Sequence, residues 1–415
     1  MLRTVSQLAS LLTGVALLLL GTGLLSTLIP VLGGAMGFSS TLLGAMTSAY
    51  FAGFLGGTYL IPKLIRRTGH IRAFAFCATG CACLVLLLSL TLNPWGWLVL
   101  RFGIGVTLVG LYTVIESWLN SQALPEQRSS VFATYMVVNL GSLALAQQFL
   151  QFHPANQGTL FVIVTLLVCA STLPVLATRM RQPDVQPSPR LRLKRLFELA
   201  PSAGYGALVS GLAMGALWGL TPVYAASIGL DQSHIGTYMS IGIIGGAALQ
   251  WPLGRLSDKH DRRIMLVLVN AIGAMVAIVM PWLAPIPWAQ EFAFFVFGGM
   301  AFAVYPIVVA HLLDHVPGEE LLAASSSVLL ANGIGSALGP LAAGYIMHWL
   351  GAGALFGWFA LCMGSTAIYV AFRYMTFHRE QSAASGFVPM LRTTPTALEM
   401  HPGVDTETVT EASTS

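Results

Sequence analysis

Twelve stretches of about 20 apolar residues follow one another along this chain, and charged residues are almost confined to the gaps between them. A helix of that length crosses the hydrocarbon core of a bilayer. The stretches fall at 8–32, 41–65, 71–92, 95–119, 130–152 and 158–178, then at 202–226, 234–255, 263–284, 287–313, 323–348 and 351–374. Such a series excludes a water-soluble globule. Charged residues make up 9% of the 415 and apolar ones 55%, whereas a soluble protein carries about 25% charged residues. The fold expected is an all-α membrane protein of twelve transmembrane helices. The first run is too long for a secretory signal core and has no A-x-A-like site after it, so it reads as the first span.

The basic residues set the sidedness. With twelve spans and the N-terminus inside, inner loops hold Lys63, Arg66, Arg67, Arg72, Arg128, Arg255, Lys259, Arg262 and Arg263. The central interval adds Arg179, Arg181, Arg190, Arg192, Lys194 and Arg195, and the termini Arg3, Arg373, Arg379 and Arg392. That is 19 of the 20 lysines and arginines, and the twentieth, Arg101, lies inside a span. Positive residues concentrate on the cytoplasmic side of membrane proteins, so both termini are expected there. A net charge of +4 distributed this way is a topology signal, with no basic stripe for nucleic acid.

The chain repeats itself at an offset of 192. Gly14 meets Gly206, Gly23 meets Gly215, Pro30 meets Pro222, Gly37 meets Gly229, Gly44 meets Gly236, Ser48 meets Ser240 and Gly53 meets Gly245. With Leu20, Leu25, Leu28 and Val31 this makes eleven identities in the forty positions from Gly14, where chance gives about three or four. The organisation expected is an N-terminal six-helix bundle at 1–180, a cytoplasmic linker at 181–200, a C-terminal six-helix bundle at 201–376 and a disordered cytoplasmic tail at 377–415. The basic segment 190–195 reads either as an amphipathic helix on anionic lipid or as a solvated linker. Parallel halves place a cavity at their interface.

Several motifs resemble those of the major facilitator superfamily, over nearly the whole chain except the tail. The loop GRLSDKHDRR at 254–263 is similar to the family's loop signature through Gly254, Asp258, Arg262 and Arg263, with Asp261 where a second glycine is usual. Its first-half equivalent, PKLIRRTGHIR at 62–72, keeps Arg67 and Gly69 but has Pro62 for the first glycine and Arg66 for the aspartate. In span 4, Arg101 and Gly105 resemble a further signature, with Ile104 in place of a polar residue. The run GSALGPLAAG at 335–344 resembles an antiporter signature, but lies in span 11 instead of span 5, so close packing is the stronger reading of its glycines. The resemblance implies a bacterial inner-membrane transporter of unassigned substrate, two pseudo-symmetric bundles, and a gating role for Gly254, Asp258, Arg262 and Arg263.

A charge at the centre of a membrane helix costs about 2.5–3.5 kcal/mol on insertion scales, which marks it as a functional candidate. Only Arg101 and Glu116 lie well inside a span, on nearly one face of span 4 with Tyr112 nearby. They are about 22 Å apart along the helix and cannot pair. Two readings of Glu116 stand together: a proton-coupling carboxylate, or a gating or structural hydrogen bond. Arg101 either holds a substrate anion or neutralises another helix. Tyr135, Asn139 and Ser142 in span 5, and Ser325, Asn332 and Ser336 in span 11, either line a pathway or bond between helices. Trp218, Tyr224, Trp251 and Tyr305 either shape a site or pack.

His311, Asp314 and His315 have helical metal-ligand spacing but fall at the end of span 10, where loop polarity accounts for them. The five cysteines lie in apolar runs and read as packing residues. No metal or cofactor is expected. There is no G-x-x-x-x-G-K-[ST], H-E-x-x-H or G-x-S-x-G. The function expected is alternating-access transport of a small solute such as a sugar, metabolite or drug-like compound, with proton coupling, by a monomer. The competing classes are a polytopic membrane enzyme and a non-transporting receptor or scaffold.

Overall fold

In lipid, every backbone polar group must find its partner within the chain, and helices do so locally. The computed structural model describes residues 2–122, 128–152, 158–177, 193–316, 320–376 and 390. These residues form α1 (Leu2–Ala35), α2 (Ser40–Thr68), α3 (His70–Leu90), α4 (Pro94–Gln122), α5 (Arg128–Gln148) and α6 (Gly158–Ala177). A short α7 (Leu193–Leu199) precedes α8 (Pro201–Ser227), α9 (Gln232–Lys259), α10 (Arg262–Leu283), α11 (Pro287–Leu313), α12 (Leu321–Leu350) and α13 (Ala354–Thr376). The twelve long helices match the twelve expected spans one to one, most ends agreeing within a turn. The expected linker and tail fall mainly outside the described residues. Within the linker interval, α7 buries Leu196 and ties Arg195 to Glu320 at 3.0 Å.

Ten of the twelve long helices are apolar enough to pass as membrane spans by composition; α2 and α9 are not. These two are equivalent across the repeat, and both bury small residues against protein: Gly44, Ser48, Gly53 and Gly57 in α2, and Gly236, Ser240, Gly242 and Gly245 in α9.

The repeat is written into the backbone. The starts of α2 and α9 (Ser40, Gln232), and of α3 and α10 (His70, Arg262), differ by 192 residues. Those of α4 and α11 (Pro94, Pro287) differ by 193, because α10 is one residue longer than α3. Gly37 and Gly229 end α1 and α8 at φ of 81° and 89°, where a side chain would be strained. Helix pairs are duplicated too. A Cβ on Gly53 would strike the Phe102 carbonyl, as one on Gly245 would strike that of Phe295. Gly105 abuts the Tyr50 carbonyl, as Gly298 abuts that of Gly242. Parallel α2–α4 packing is therefore repeated as α9–α11 packing.

The halves meet along α2–α12 and α5–α9, at the end of the bundle remote from the N-terminus. Gly44 lies against the Pro340 carbonyl and Gly236 against that of Gln147. Pro340 is the 193-offset counterpart of Gln147, so one contact is made twice. The serine one turn on completes each: Ser48 Oγ accepts from Leu341 N at 3.0 Å, and Ser240 Oγ donates to the Ala144 carbonyl at 2.8 Å. Ser40 Oγ donates to the Gly344 carbonyl (3.0 Å) and Gln148 Nε2 to Ser240 Oγ (2.7 Å). Small residues let these backbones approach closely enough to bond, which suits association in lipid.

Candidate functional site

Below this sealed end, the interface opens into a cavity of about 1200 Å³, counting the space at its mouth. Its walls come from α1, α2, α4, α5, α8, α11 and α12. Much of the lining is paired by the repeat. Thr22 and Ser26 of α1 face Met214 and Trp218 of α8, each 192 residues on. Leu108 and Tyr112 of α4 face Ala301 and Tyr305 of α11, and Asn139 and Leu143 of α5 face Asn332 and Ser336 of α12, each 193 residues on.

Of the pathway residues expected from the sequence, Arg101, Tyr112, Asn139, Trp218 and Asn332 all line this cavity. Glu116 does not. It is fully buried beneath it, accepting a hydrogen bond from the Tyr135 hydroxyl at 2.8 Å, one turn from Tyr112 on the side towards the N-terminal end of the bundle. Asn139 donates to the Tyr135 carbonyl at 3.0 Å, joining the cavity wall to the Glu116–Tyr135 pair. Asn332 both lines the cavity and bonds across helices, to Ser210 Oγ (2.8 Å) and the Ala207 carbonyl (3.1 Å) of α8.

Arg101 is the one charged residue of the lining among the described residues. It is 4% exposed, its guanidinium carbon sits 4.7 Å from the Tyr50 ring, and its Nε is buried with no hydrogen-bond partner. None of the ion pairs among the described residues involves it.

Two aromatic candidates lie elsewhere. Trp251 is 57% exposed on the outer face of α9, stacked 3.7 Å from the Arg255 guanidinium. Tyr224 is packed edge-on against Phe356 and accepts from Gln290 at 3.0 Å. Of the cysteines, Cys77, Cys81 and Cys362 are buried, but Cys83 and Cys169 face outwards. The cavity also holds residues that sequence reasoning did not single out: Tyr50, Phe51, Phe54 and Phe302, and Met390 from beyond α13, which is 2% exposed.

Comparison with known proteins places this architecture. The family model described as Major Facilitator Superfamily matches residues 11–199 and 203–399. The chain belongs to the major facilitator superfamily. Among its relatives in the superfamily, an uncharacterized MFS-type transporter of Enterobacter sp. (strain 638) is 31% identical over 349 residues, covering 81% of this chain and 88% of that protein. The uncharacterized MFS-type transporter YcaD of Escherichia coli O139:H28 is 31% identical over 340 residues, covering 80% and 86%. The fold is similar to that of the nucleoside transporter NupG (TM-score 0.70, 15% identity, 91% of this chain and 100% of that one). It is likewise similar to a bacterial homolog of the human lysosomal transporter Spinster, inward-facing and unoccupied (TM-score 0.70, 14% identity, 89% and 95%). The chain is thus an integral membrane protein of a transporter family, and this sets aside the membrane-enzyme alternative.

The superfamily-like loop between α9 and α10 forms a clamp. Arg262, 4% exposed, reaches Asp258 (3.2 Å), Ser257 (3.2 Å) and, through Nε, Asp314 at the end of α11 (2.6 Å). Asp261 caps α10 by accepting from Arg263 N at 2.8 Å, and Arg263 lies over the Tyr374 ring of α13 at 5.0 Å. Burial pushes the Asp261 carboxyl up, but the Arg263 backbone and guanidinium donors outweigh it and hold it below the usual carboxylate range. Gly254 is buried one turn before Asp258. Asp314, which the sequence leaves as loop polarity beside His311 and His315, is the partly buried partner of Arg262, and His315 bonds the His311 carbonyl.

Proposed function

We propose that the chain is a secondary active transporter that carries a small solute by alternating access, with 1–180 and 201–376 as its two moving bundles. The observation that carries this reading is the mid-bundle cavity, lined in pairs by the repeat and closed at one end by a duplicated contact. A twofold axis along the membrane normal sets the two bundles side by side around a central pathway and makes each half of this gate the counterpart of the other. The basic loops and termini face the cytoplasm of a bacterial inner membrane, so the sealed end faces outwards. The protein works as a monomer, because the cavity is built within one chain.

Glu116 is the proton site in this reading. A carboxyl that a change of access state moves between a sealed site and water can take up a proton on one side and release it on the other. Tyr135 and Tyr112 connect it to the cavity. The Arg262–Asp258–Asp314 cluster holds the inner ends of α9, α10 and α11 together, so that the second bundle moves as one piece.

The test is flux. The protein is reconstituted into liposomes, and solutes that stabilise it are offered with and without an imposed pH gradient. Uptake driven by the gradient is expected, and Glu116→Gln is expected to abolish the gradient dependence while leaving binding in place. Binding without flux favours a receptor over a transporter. Gradient dependence that survives Glu116→Gln removes the coupling role from this residue.

A further inference from the structure

We propose that the cavity selects a monovalent organic anion, a carboxylate on an apolar or aromatic body, with Arg101 as the residue that binds the charge. This inference rests on the transport reading of the same cavity and names its substrate class.

Three observations lead to it. First, Arg101 is buried and its Nε has no hydrogen-bond partner. A buried guanidinium requires an opposing charge or saturating acceptors. Tyr50 supplies the face of its ring, which attracts the cation without neutralising it. Glu116 is about 22 Å away along the same helix and bonds Tyr135.

Second, the fold does not require an arginine there. The 193-residue counterpart of Arg101 is Phe294, flanked by the same glycine contacts, and it stacks on Tyr238 with ring centroids 4.2 Å apart and an interplanar angle of 8°. An aromatic ring fills the equivalent site in the second half, so packing alone does not account for the charge in the first.

Third, the rest of the cavity fits the remainder of such a molecule. Phe51, Phe54, Trp218 and Phe302 offer apolar and aromatic surface, and Asn139 and Asn332 offer neutral hydrogen bonds. A single cation in the lining, among the described residues, matches one negative charge. The guanidinium fork binds a carboxylate through two parallel hydrogen bonds.

The probes are 4-phenylbutyrate, its uncharged amide 4-phenylbutyramide, and phenylphosphonate as a dianion. Each is titrated against the purified full-length protein by thermal shift and by tryptophan fluorescence. The carboxylate is expected to bind about tenfold to a hundredfold more tightly than the amide, the range of a charge-assisted hydrogen bond, and more tightly than the dianion. Arg101→Gln is expected to erase the preference without lowering affinity for the amide, and Arg101→Lys to retain part of it. Equal affinity for carboxylate and amide, a preference that survives Arg101→Gln, or binding of none of the three overturns the proposal. If the amide binds equally and is carried in liposomes, the transport reading stands and the anion assignment alone falls.

Discussion

The two halves share a backbone plan down to individual glycines, yet they carry different charges. Gly44 and Gly236 make the same contact, and Tyr112 and Tyr305 reach the same cavity. Against this, Arg101 and Glu116 are matched in the second half by Phe294 and Val309. The loop cluster is asymmetric in the opposite sense. Asp258 and Arg262 are matched in the first half by Arg66 and His70, and residues 1–180 contain only two acidic residues, Glu116 and Glu126. In the function proposed above, what is duplicated closes and opens the pathway, and what is not duplicated assigns tasks: recognition and coupling to the first half, rigidity of the inner ends to the second.

The largest break in this comparison is expected at Arg262. Arg262→Met keeps an apolar stem of similar length but leaves Asp314, whose side chain is 9% exposed, without its cation. Removing one partner of a buried pair costs about 3–5 kcal/mol. His70→Met, at the matching first-half position, removes a buried ring and its polar bonding rather than half of a close ion pair, and is expected to cost less, about 1–3 kcal/mol. Thermal unfolding in detergent compares the two. Equal losses end the claim that the second half alone is clamped by charge.

Next in size is the duplicated seal. Leucine at Gly44 or Gly236 places a side chain where a backbone carbonyl of the other bundle sits, and overpacking of this kind costs about 1–3 kcal/mol. Because tenfold in population corresponds to about 1.4 kcal/mol, each substitution should raise labelling of a Ser336→Cys reporter by an impermeant thiol reagent from outside about tenfold or more. The sharper expectation is that Gly44→Leu and Gly236→Leu act alike. A strong response to one and none to the other shows that the symmetry of the contact is not a symmetry of the gate.

The sequence disclosed these elements unevenly, for physical reasons. The twelve helices were legible because lipid leaves an apolar chain little alternative, and the repeat because glycines at close approaches accept no substitute. Arg101, Tyr112, Asn139, Trp218 and Asn332 stood out as polar or aromatic groups within apolar runs, and they line the cavity. Glu116 stood out equally, but helical spacing gives a face and not the depth of the wall in front of it, and Tyr135 covers it. Trp251 and Tyr224 were ambiguous because a membrane aromatic packs as readily against lipid or protein as against a ligand. Asp314 read as plain loop polarity because its partner lies 52 residues away in the chain, beyond the reach of any local spacing. Met390 gave no signal: one methionine in a polar segment has no period to read.

The smallest expected effect separates two loops that occupy the same place. Gly69 starts α3 at φ 82°, ψ 165° with no side-chain cap, whereas its counterpart Asp261 starts α10 at φ −56° and caps it. The first-half backbone lies in a region that only glycine occupies freely, so Gly69→Asp is expected to cost about 1–3 kcal/mol in strain. The reverse change, Asp261→Gly, gives up a cap but leaves a conformation glycine tolerates, and should cost only a few tenths of a kcal/mol. The two also differ in pH response. Because Asp261 is held below its usual range when folded, its contribution is fully present above about pH 4, the unfolded carboxylate's range, and is lost as pH falls through the folded value. Asp261→Gly should therefore flatten the acid limb of the stability profile slightly, and Gly69→Asp should lower the whole profile without reshaping it. Thermal unfolding between pH 3 and pH 7 distinguishes these outcomes. A Gly69→Asp protein as stable as its parent would mean that the first-half loop can adopt the second half's geometry, and that the loops differ in charge alone.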